Sequence, residues 1–418
     1  MTSSSGDIGA TGSGAGTSIL TNAANLTVDS AGNAYINDSA NVNLNTSSVG
    51  NTDTFNLTSA GTITVAGNVS ATSGTIGSIN LNGGTIAEGN GNYTLTATNV
   101  GLTSTVGDIG ATGSGAGTAI LTTTPNLTIT SVGNVYVNDS SSVSLKGSSA
   151  GDSDDFNVTS SGTLTVAGNV AATSGIIGYI NLTGSTIAEG SGAYTLTSPN
   201  ITLTSTAGNI GASGSGTGTS ILTYTGNLTI NSAGNAYVSN TGGVTLNASS
   251  AGSGDTFSLA TTSSGAITIG GNVVAGSGTI GTITLNASGA ITESSGILTA
   301  STVNLTSGHS GSIGSNGNAI ETAASSLSIN AAGNAYISNN GSVTLTGSNI
   351  TVGSSDTLSL ATTSGSIAIN GNVGGSSSIS SIILNAASAI TETSGTLTAT
   401  TVNLSSGTGS IGRQWRCY

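Results

Sequence analysis

Pairs of aliphatic residues separated by one polar residue recur along the whole chain. Early examples are Leu26/Val28, Val42/Leu44 and Ile63/Val65. Side chains at positions i and i+2 lie on the same face of an extended segment, so each pair predicts a short strand with one apolar face. Gly and Asn, which accept the left-handed backbone of sharp corners, separate the strands. No apolar pattern at helical spacing persists beyond two turns, so the pattern predicts an all-β protein.

Two short phrases repeat at a nearly constant interval. The tyrosine of a Gly-Asn-[Ala/Val]-Tyr-[Ile/Val] phrase occurs at Tyr35, Tyr136, Tyr237 and Tyr336, with steps of 101, 101 and 99 residues by subtraction. The asparagine of a Gly-Asn-Val phrase occurs at Asn68, Asn169, Asn272 and Asn372. Self-similarity at a fixed period is typical of proteins that stack identical units along one axis.

Short strands joined by tight corners predict a right-handed parallel β-helix, or β-solenoid. Coils of about 20 residues that each climb about 4.8 Å would give about five coils per repeat and about twenty in the chain. We predict one continuous solenoid over residues 1–412, followed by a non-repeat tail, 413–418. The predicted repeats are 6–106, 107–207, 208–310 and 311–408, with the start of a fifth.

The net charge of the chain restricts the kinds of partner that it is expected to bind. Three Lys and Arg residues against sixteen Asp and Glu give a net charge of −13. A nucleic acid or an anionic membrane surface requires a basic stripe, so we expect neither as a partner. The sequence contains no run of eighteen apolar residues, so we predict no transmembrane segment in it. The residues after Met1 lack the features of a signal peptide.

A nine-residue phrase carries a resemblance to a known class of protein. The phrase Gly-[Thr/Ser/Ala]-[Ile/Leu]-x-[Val/Ile]-x-Gly-Asn-Val occurs at 61–69, 162–170, 265–273 and 365–373. Over residues 1–412 the chain resembles the β-strand repeats of filamentous-haemagglutinin-like exoproteins and autotransporter passengers. The resemblance implies a right-handed β-helix and an adhesive or structural role, secreted or at the bacterial cell surface.

Four glutamates and four aspartates recur with the repeat. An Ile-[Ala/Thr]-Glu phrase places Glu88, Glu189, Glu293 and Glu392 about five predicted coils apart. No two of them can then share a substrate bond, so we interpret them as solvated corner residues. Asp53, Asp154, Asp255 and Asp356 are interpreted as turn caps.

Other candidate sites are weak in this sequence. The cluster Asp152, Asp154 and Asp155 is the one place where we consider a loosely held Ca²⁺. The sequence has a single histidine, His309, so we cannot assemble a set of metal ligands or a catalytic triad around it. The Gly12–Gly16 stretch lacks the lysine of a phosphate-binding loop. We therefore predict no catalytic, cofactor or metal residues.

Two kinds of polar side chain are candidates for contact with other molecules. Tyr35, Tyr136, Tyr237 and Tyr336 flank inward aliphatic residues, so we expect them to point outward and to be available to a partner. A role in covering a neighbouring aliphatic residue is the alternative. Asn-x-Ser/Thr triplets are glycosylation acceptors in secreted proteins, but stacked asparagines at corners explain them equally well. Examples of these triplets begin at Asn25, Asn37, Asn45, Asn56 and Asn68.

These observations predict a non-enzymatic rod, which adheres to glycans or surface proteins of a host cell or biofilm, or acts as a spacer. One alternative is a polysaccharide-active β-helix enzyme. Another is an ice-binding solenoid, for which threonine pairs are the signal. The pairs are Thr62/Thr64, Thr94/Thr96, Thr163/Thr165, Thr195/Thr197 and Thr202/Thr204.

Overall fold

The computed structural model of the protein describes residues 1–11, 17–89, 91–112, 118–213, 219–346, 350–374 and 379–413. Over these residues the chain forms strands and turns and no helix. The paired strands run parallel, each above a strand of the preceding coil. The result is a β-solenoid of about 17 turns. This confirms the all-β parallel solenoid that the alternating aliphatic residues predict.

The chain divides into two compact units. The first is Met1–Thr206 with Ser215–Thr219, and the second is Ala207–Gly214 with Ser220–Tyr418. In the first unit the strands β1 to β23 are, in order, Thr2–Ser3, Ile19–Thr21, Asn25–Leu26, Asp29–Ser30, Ala34–Asp38, Val42–Leu44, Ser47–Val49, Thr54–Ser59, Thr62–Val65, Val69–Ala71, Ile76–Gly83, Thr85–Glu88, Thr94–Ser104, Ile120–Thr123, Asn126–Thr130, Val135–Asp139, Val143–Leu145, Asp155–Ser160, Thr163–Val166, Tyr179–Gly184, Thr186–Glu189, Thr195–Thr197 and Asn200–Ser205. In the second unit the strands β24 to β43 are Ile221–Tyr224, Asn227–Asn231, Ala236–Thr241, Val244–Leu246, Ser249–Ala251, Thr256–Thr262, Ile267–Ile269, Val273–Ala275, Ile280–Ala287, Ile291–Glu293, Leu298–Ser307, Ile320–Asn330, Ala335–Asn340, Val343–Thr346, Thr357–Ser364, Ile367–Asn370, Ser381–Ala386, Ile390–Ser394, Thr401–Ser406 and Ile411–Arg413.

The coils are longer than the sequence predicts. In the first unit Ala34 pairs with Phe55, Phe55 with Ile79, Ile79 with Val100 and Val100 with Leu127, which gives steps of 21, 24, 21 and 27 residues by subtraction. The predicted values of about 20 residues per coil and about twenty coils are therefore wrong, and about 17 turns is the observed number. The difference arises because corner segments vary in length and some extend well beyond a tight turn.

A sequence repeat does not contain a whole number of coils. The column of paired residues that includes Ala34 reaches Leu127 after four coils. The repeat equivalent of Ala34, however, is Val135, which lies one strand further along the chain. Val135 lies instead above Ile109 and Ile86. Equivalent strands in successive repeats of the first unit therefore lie on different faces of the coil.

Aliphatic side chains fill the interior of each unit. Within the strands buried and solvent-facing residues alternate, as in β9, where Ile63 and Val65 are buried between half-buried threonines. Phe55, Phe156 and Phe257 are also fully buried, at 0% exposure. Because each coil covers the apolar face of the one before it, burial by stacking is the main stabilising term.

The Gly-Asn-Val phrase has a physical explanation at a corner where two coils approach closely. A Cβ on Gly168 would overlap the backbone nitrogen of Gly147 in the preceding coil. The next residue, Asn169, accepts a hydrogen bond through Oδ1 from the backbone N–H of Thr195 in the following coil, at 2.9 Å. Val170 then fills the interior at 0% exposure. Each residue of the phrase thus joins one coil to its neighbours.

This close approach predicts that Gly168→Ala destabilises the first unit by about 1–3 kcal/mol, since the methyl group forces two backbones apart. Gly147→Ala is a matched control at the same corner, because a Cβ there would meet nothing within 4 Å. Thermal unfolding followed by circular dichroism compares the two variants. Equal melting temperatures for them would refute the close-approach explanation.

Candidate functional site

The four repeat tyrosines lie on the outer surface, as the sequence predicts. Tyr35 is half-buried between the buried residues Ala34 and Ile36 of β5. The same alternation holds at Tyr136 in β16, Tyr237 in β26 and Tyr336 in β36. Their phenol rings are thus partly accessible, and their contact with a partner stays a prediction.

Within each unit the two tyrosines lie on different faces of the coil. In the second unit, Tyr237 follows Ala236, which lies in one column with Phe257 and Ile283. Tyr336 follows Ala335, which lies above Ile313. Ile313 in turn lies above Ile291 and Ile267. The two tyrosines of a unit therefore do not form a row on one flat face.

Tyr136 differs from its equivalents in its surroundings. Its hydroxyl donates a hydrogen bond to Oδ2 of Asp155 in the next coil, at 3.3 Å. Burial, together with the carboxylates of Asp155, Asp108 and Asp154, raises the pKa of Tyr136 to about 12. Tyr179, which the sequence analysis did not single out, pairs with Asp155 in register and is 51% exposed. Two tyrosines thus flank one carboxylate on this face.

Three of the four recurring glutamates are buried, so the prediction of solvated corner residues is wrong for them, whereas Glu392 is half-buried. Glu88, Glu189 and Glu293 are 8%, 9% and 9% exposed. Glu88 pairs in register with Val65, so its side chain continues an interior aliphatic column. The alternation rule contained this signal, since Glu88 stands two residues after the buried Ile86 and so shares its face.

The environment of Glu88 favours a neutral carboxyl group. Its Oε1 accepts a hydrogen bond from the backbone N–H of Tyr93 at 3.1 Å, while its Oε2 is buried with no hydrogen-bond partner among the described residues. Burial raises the pKa of Glu88 to about 7, against the opposing effect of the Tyr93 hydrogen bond. Burial also raises the pKa of Glu293. These carboxyl groups lie on the inward face of their strands.

Four other buried polar residues were missed by the sequence analysis. They occupy the position two residues after an inward aliphatic residue, and they are Asp38, Asp139, Asn240 and Asn339. Asp139 accepts hydrogen bonds from the Thr122 hydroxyl at 2.7 Å and from the backbone N–H groups of Thr124 and Ser141. A carboxylate at this position thus fixes the corners of two coils.

In the second unit an asparagine replaces this aspartate, and the turn changes with it. Asn240 accepts from the Thr223 hydroxyl through Oδ1, and its Nδ2 donates to the carbonyl oxygen of Gly242 at 3.2 Å. Gly242 has φ of +84°, a conformation that favours glycine. The turn therefore presents a carbonyl oxygen to the amide of Asn240, where the first unit presents an N–H to the carboxylate of Asp139.

The aspartate cluster of the second repeat is held by the backbone. Asp152 accepts a hydrogen bond through Oδ1 from the N–H of Ile176 at 2.9 Å, and the Asp154 carboxylate lies against Gly151. Within the described ranges, no group of three or more His, Cys, Asp or Glu residues is arranged to hold a metal ion. The Ca²⁺ considered near Asp152, Asp154 and Asp155 stays a prediction without geometric support.

Several other sequence candidates have structural roles. Corner asparagines bind the backbone of the following coil: Asn68 Oδ1 accepts a hydrogen bond from the N–H of Thr94 at 2.9 Å, and Asn134 Oδ1 accepts one from the N–H of Asp155. His309 is exposed, and its Nδ1 contacts the carbonyl oxygen of Ser288 at 2.6 Å. The Gly12–Gly16 stretch and residues 414–418 lie outside the described residues.

The threonine pairs do not form continuous rows. Thr64 lies between Asn43 and Ala87 in successive coils. Thr165 lies between Ser144 and Ala188. A surface that matches a lattice requires unbroken rows, so this arrangement does not support ice binding.

Comparison with protein-family models, with curated proteins and with solved structures gives no match. The structure is compatible with a β-helix repeat protein. Across the described ranges, no helix has the length and hydrophobicity needed to span a membrane.

Proposed function

We propose that this chain is a non-enzymatic, repetitive scaffold, secreted or held at the bacterial cell surface, which presents an adhesive surface or acts as a spacer. The single observation that supports this proposal best is that polar side chains at the corners form hydrogen bonds between coils. Corner asparagines and aspartates such as Asn68, Asn169 and Asp139 are hydrogen-bonded between coils. Outward Thr, Ser, Asn and Tyr residues then form the available surface, as in the filamentous-haemagglutinin-like proteins that the sequence resembles.

The proposed partners are glycans or surface proteins of a host cell or biofilm. Tyrosine rings offer flat apolar faces beside a polar tip, a combination that suits sugars and protein surfaces. Each repeat supplies one such tyrosine, and linked weak sites bind at high effective concentration. Because the tyrosines of a unit lie on two faces, a flat surface engages one face of the unit at a time.

Replacing Tyr35, Tyr136, Tyr237 and Tyr336 by Ala in the full chain is expected to weaken binding to immobilised cells or glycans by about tenfold, because the variant has no repeat tyrosine on either face. Surface plasmon resonance measures this loss, and far-UV circular dichroism checks that the strand content is unchanged. Tyr224→Ala is the control, since Tyr224 is 57% exposed but lies outside the repeated phrase.

Four outcomes would contradict the adhesive form of this proposal. Unchanged binding by the four-tyrosine variant removes the tyrosines from the interface. Absence of binding by the intact chain leaves the spacer role. Cleavage of a polysaccharide, or thermal hysteresis in ice, would instead favour the enzyme or the ice-binding alternative.

A further inference from the structure

One surface of the second repeat carries four residues that the first and third repeats lack. We call it the acidic–aromatic patch and define it as Val132, Tyr136, Asp154, Asp155, Ile176 and Tyr179. Val132, Ile176 and Tyr179 are 43%, 57% and 51% exposed, so they are among the large apolar side chains left open to solvent. Val132, Asp155, Ile176 and Tyr179 replace Ala31, Thr54, Thr75 and Ser78 of the first repeat, and Ala233, Thr256, Thr279 and Thr282 of the third.

Three successive coils bring these residues together. Gly151 donates a backbone hydrogen bond to Gly133, next to Val132, and Ser153 donates one to the carbonyl oxygen of Ile176 at 2.7 Å. Asp155 pairs in register with Tyr179, while Tyr136 reaches Asp155 from the coil below. The first repeat has the same register, with Thr54 paired to Ser78. The backbone of the patch is therefore common to both repeats, and its side chains are particular to the second.

The patch is an uncompensated negative region. Burial raises the pKa of Asp154, and the carboxylates of Asp108, Asp155 and Asp152 raise it further. The negative charges of Asp155, Asp108 and Asp154 likewise raise the pKa of Tyr136. Among the residues that the structure describes, no cation contributes to either group. A ligand that brings a positive charge relieves this repulsion, whereas a neutral ligand does not.

We propose that the acidic–aromatic patch binds a segment of a partner protein that carries Lys or Arg beside an apolar residue. The cation lies at Asp155, which Tyr136 and Tyr179 flank, so that a charge-assisted hydrogen bond and the faces of the phenol rings stabilise it together. The exposed side chains of Ile176 and Val132 cover the apolar neighbour of the cation. This inference goes beyond the proposed scaffold function, because it concerns one repeat and does not require the periodic tyrosines.

The test compares the full chain with a variant that gives the second repeat the residues of the first: Val132→Ala, Asp155→Thr, Ile176→Thr and Tyr179→Ser. The first repeat folds with these residues at the same register, so the variant retains its structure, and Tyr136 is kept. Binding of a fluorescein-labelled peptide, Gly-Arg-Leu-Gly-Arg-Leu-Gly, is measured by fluorescence anisotropy. We expect the Kd to rise by about tenfold or more in the variant, and binding to the intact chain to weaken as salt increases.

Two controls separate this site from diffuse attraction to a chain of net charge −13. The same peptide with citrulline in place of arginine is expected to bind both proteins weakly. Transfer of the patch to the first repeat, by Ala31→Val, Thr54→Asp, Thr75→Ile and Ser78→Tyr, is expected to raise the stoichiometry from one peptide to about two. Equal binding of the arginine peptide by the intact chain and the variant would overturn the proposal. So would equal affinity of the intact chain for the citrulline peptide and the arginine peptide. A variant that loses binding to a neutral glycan array, while it binds the arginine peptide as tightly as the intact chain does, would also overturn it.

Discussion

Replacing Val166 by Asp is expected to lower the free energy of unfolding of the first unit by more than about 4 kcal/mol, because it buries an unpaired charge. Val166 is fully buried and pairs in register with Leu145 below and Glu189 above. The new carboxylate would therefore face a second buried carboxyl group one coil away. Thermal unfolding and native-state hydrogen exchange measure the loss.

Thr165→Asp is the matched control on the same strand, since Thr165 is the outward neighbour of Val166 in β19. It is expected to change stability by less than about 0.5 kcal/mol, as surface substitutions usually do. In the Val166 variant the amide protons of β17, β19 and β21 are expected to exchange first. Equal effects of the two substitutions would show that this column is not the interior of the coil.

Replacing Glu88 by Gln is expected to stabilise the protein by about 2–3 kcal/mol at pH 8 and to have little effect below about pH 4.5. The folded-state pKa of Glu88 is raised from 4.5 to about 7. A raised carboxyl pKa means that the neutral form stabilises the fold below the unfolded-state pKa. That contribution is lost as the pH rises through the folded-state pKa. Glutamine remains neutral at every pH, and its Oε1 can still accept the Tyr93 N–H.

Melting temperatures of the variant and the wild type, compared between pH 4 and pH 8, check this prediction. Glu321→Gln makes the same substitution at an exposed glutamate and is the control. A stability difference that does not depend on pH would mean that Glu88 remains ionised in the fold. A large loss of stability at low pH would mean that the carboxyl group makes a contact that the amide cannot replace.

The acidic–aromatic patch was visible in the sequence only in part. The cluster Asp152, Asp154 and Asp155 stood out as a candidate for metal, and Tyr136 as a candidate for partner contact. Ile176 and Tyr179 lie more than twenty residues after Asp155 in the chain. Only the pairing of strands in register brings Tyr179 beside Asp155. The functional grouping thus depends on which coil lies above which, a property that spacing along the chain does not specify.

The sequence by itself determined the class of fold and the inward face of its strands. Alternation of aliphatic and polar residues, as in Ile63 and Val65, is a local property of an extended chain, so it predicted the strands and their inward face. The tight Gly and Asn corners and the fixed repeat period then predicted a parallel solenoid. The same rule, applied without regard to polarity, also accounts for Glu88 and Asp139. Both stand two residues after a buried aliphatic residue and share its face. The solvated position predicted for Glu88 was wrong because the prediction did not apply this rule to a charged side chain, and burial raises the pKa of Glu88 to about 7.

The tertiary structure alone decided the length of each coil and the face on which each repeat lies. A repeat of about one hundred residues is compatible with several numbers of coils, because corner segments lengthen without changing the strands they join. In the observed register, Leu127 lies in the same column as Ala34, four coils further on. Val135, the repeat equivalent of Ala34, lies on another face. The physical reason is that stacking contacts between strands set the register, whereas the sequence period records only the order of the strands along the chain.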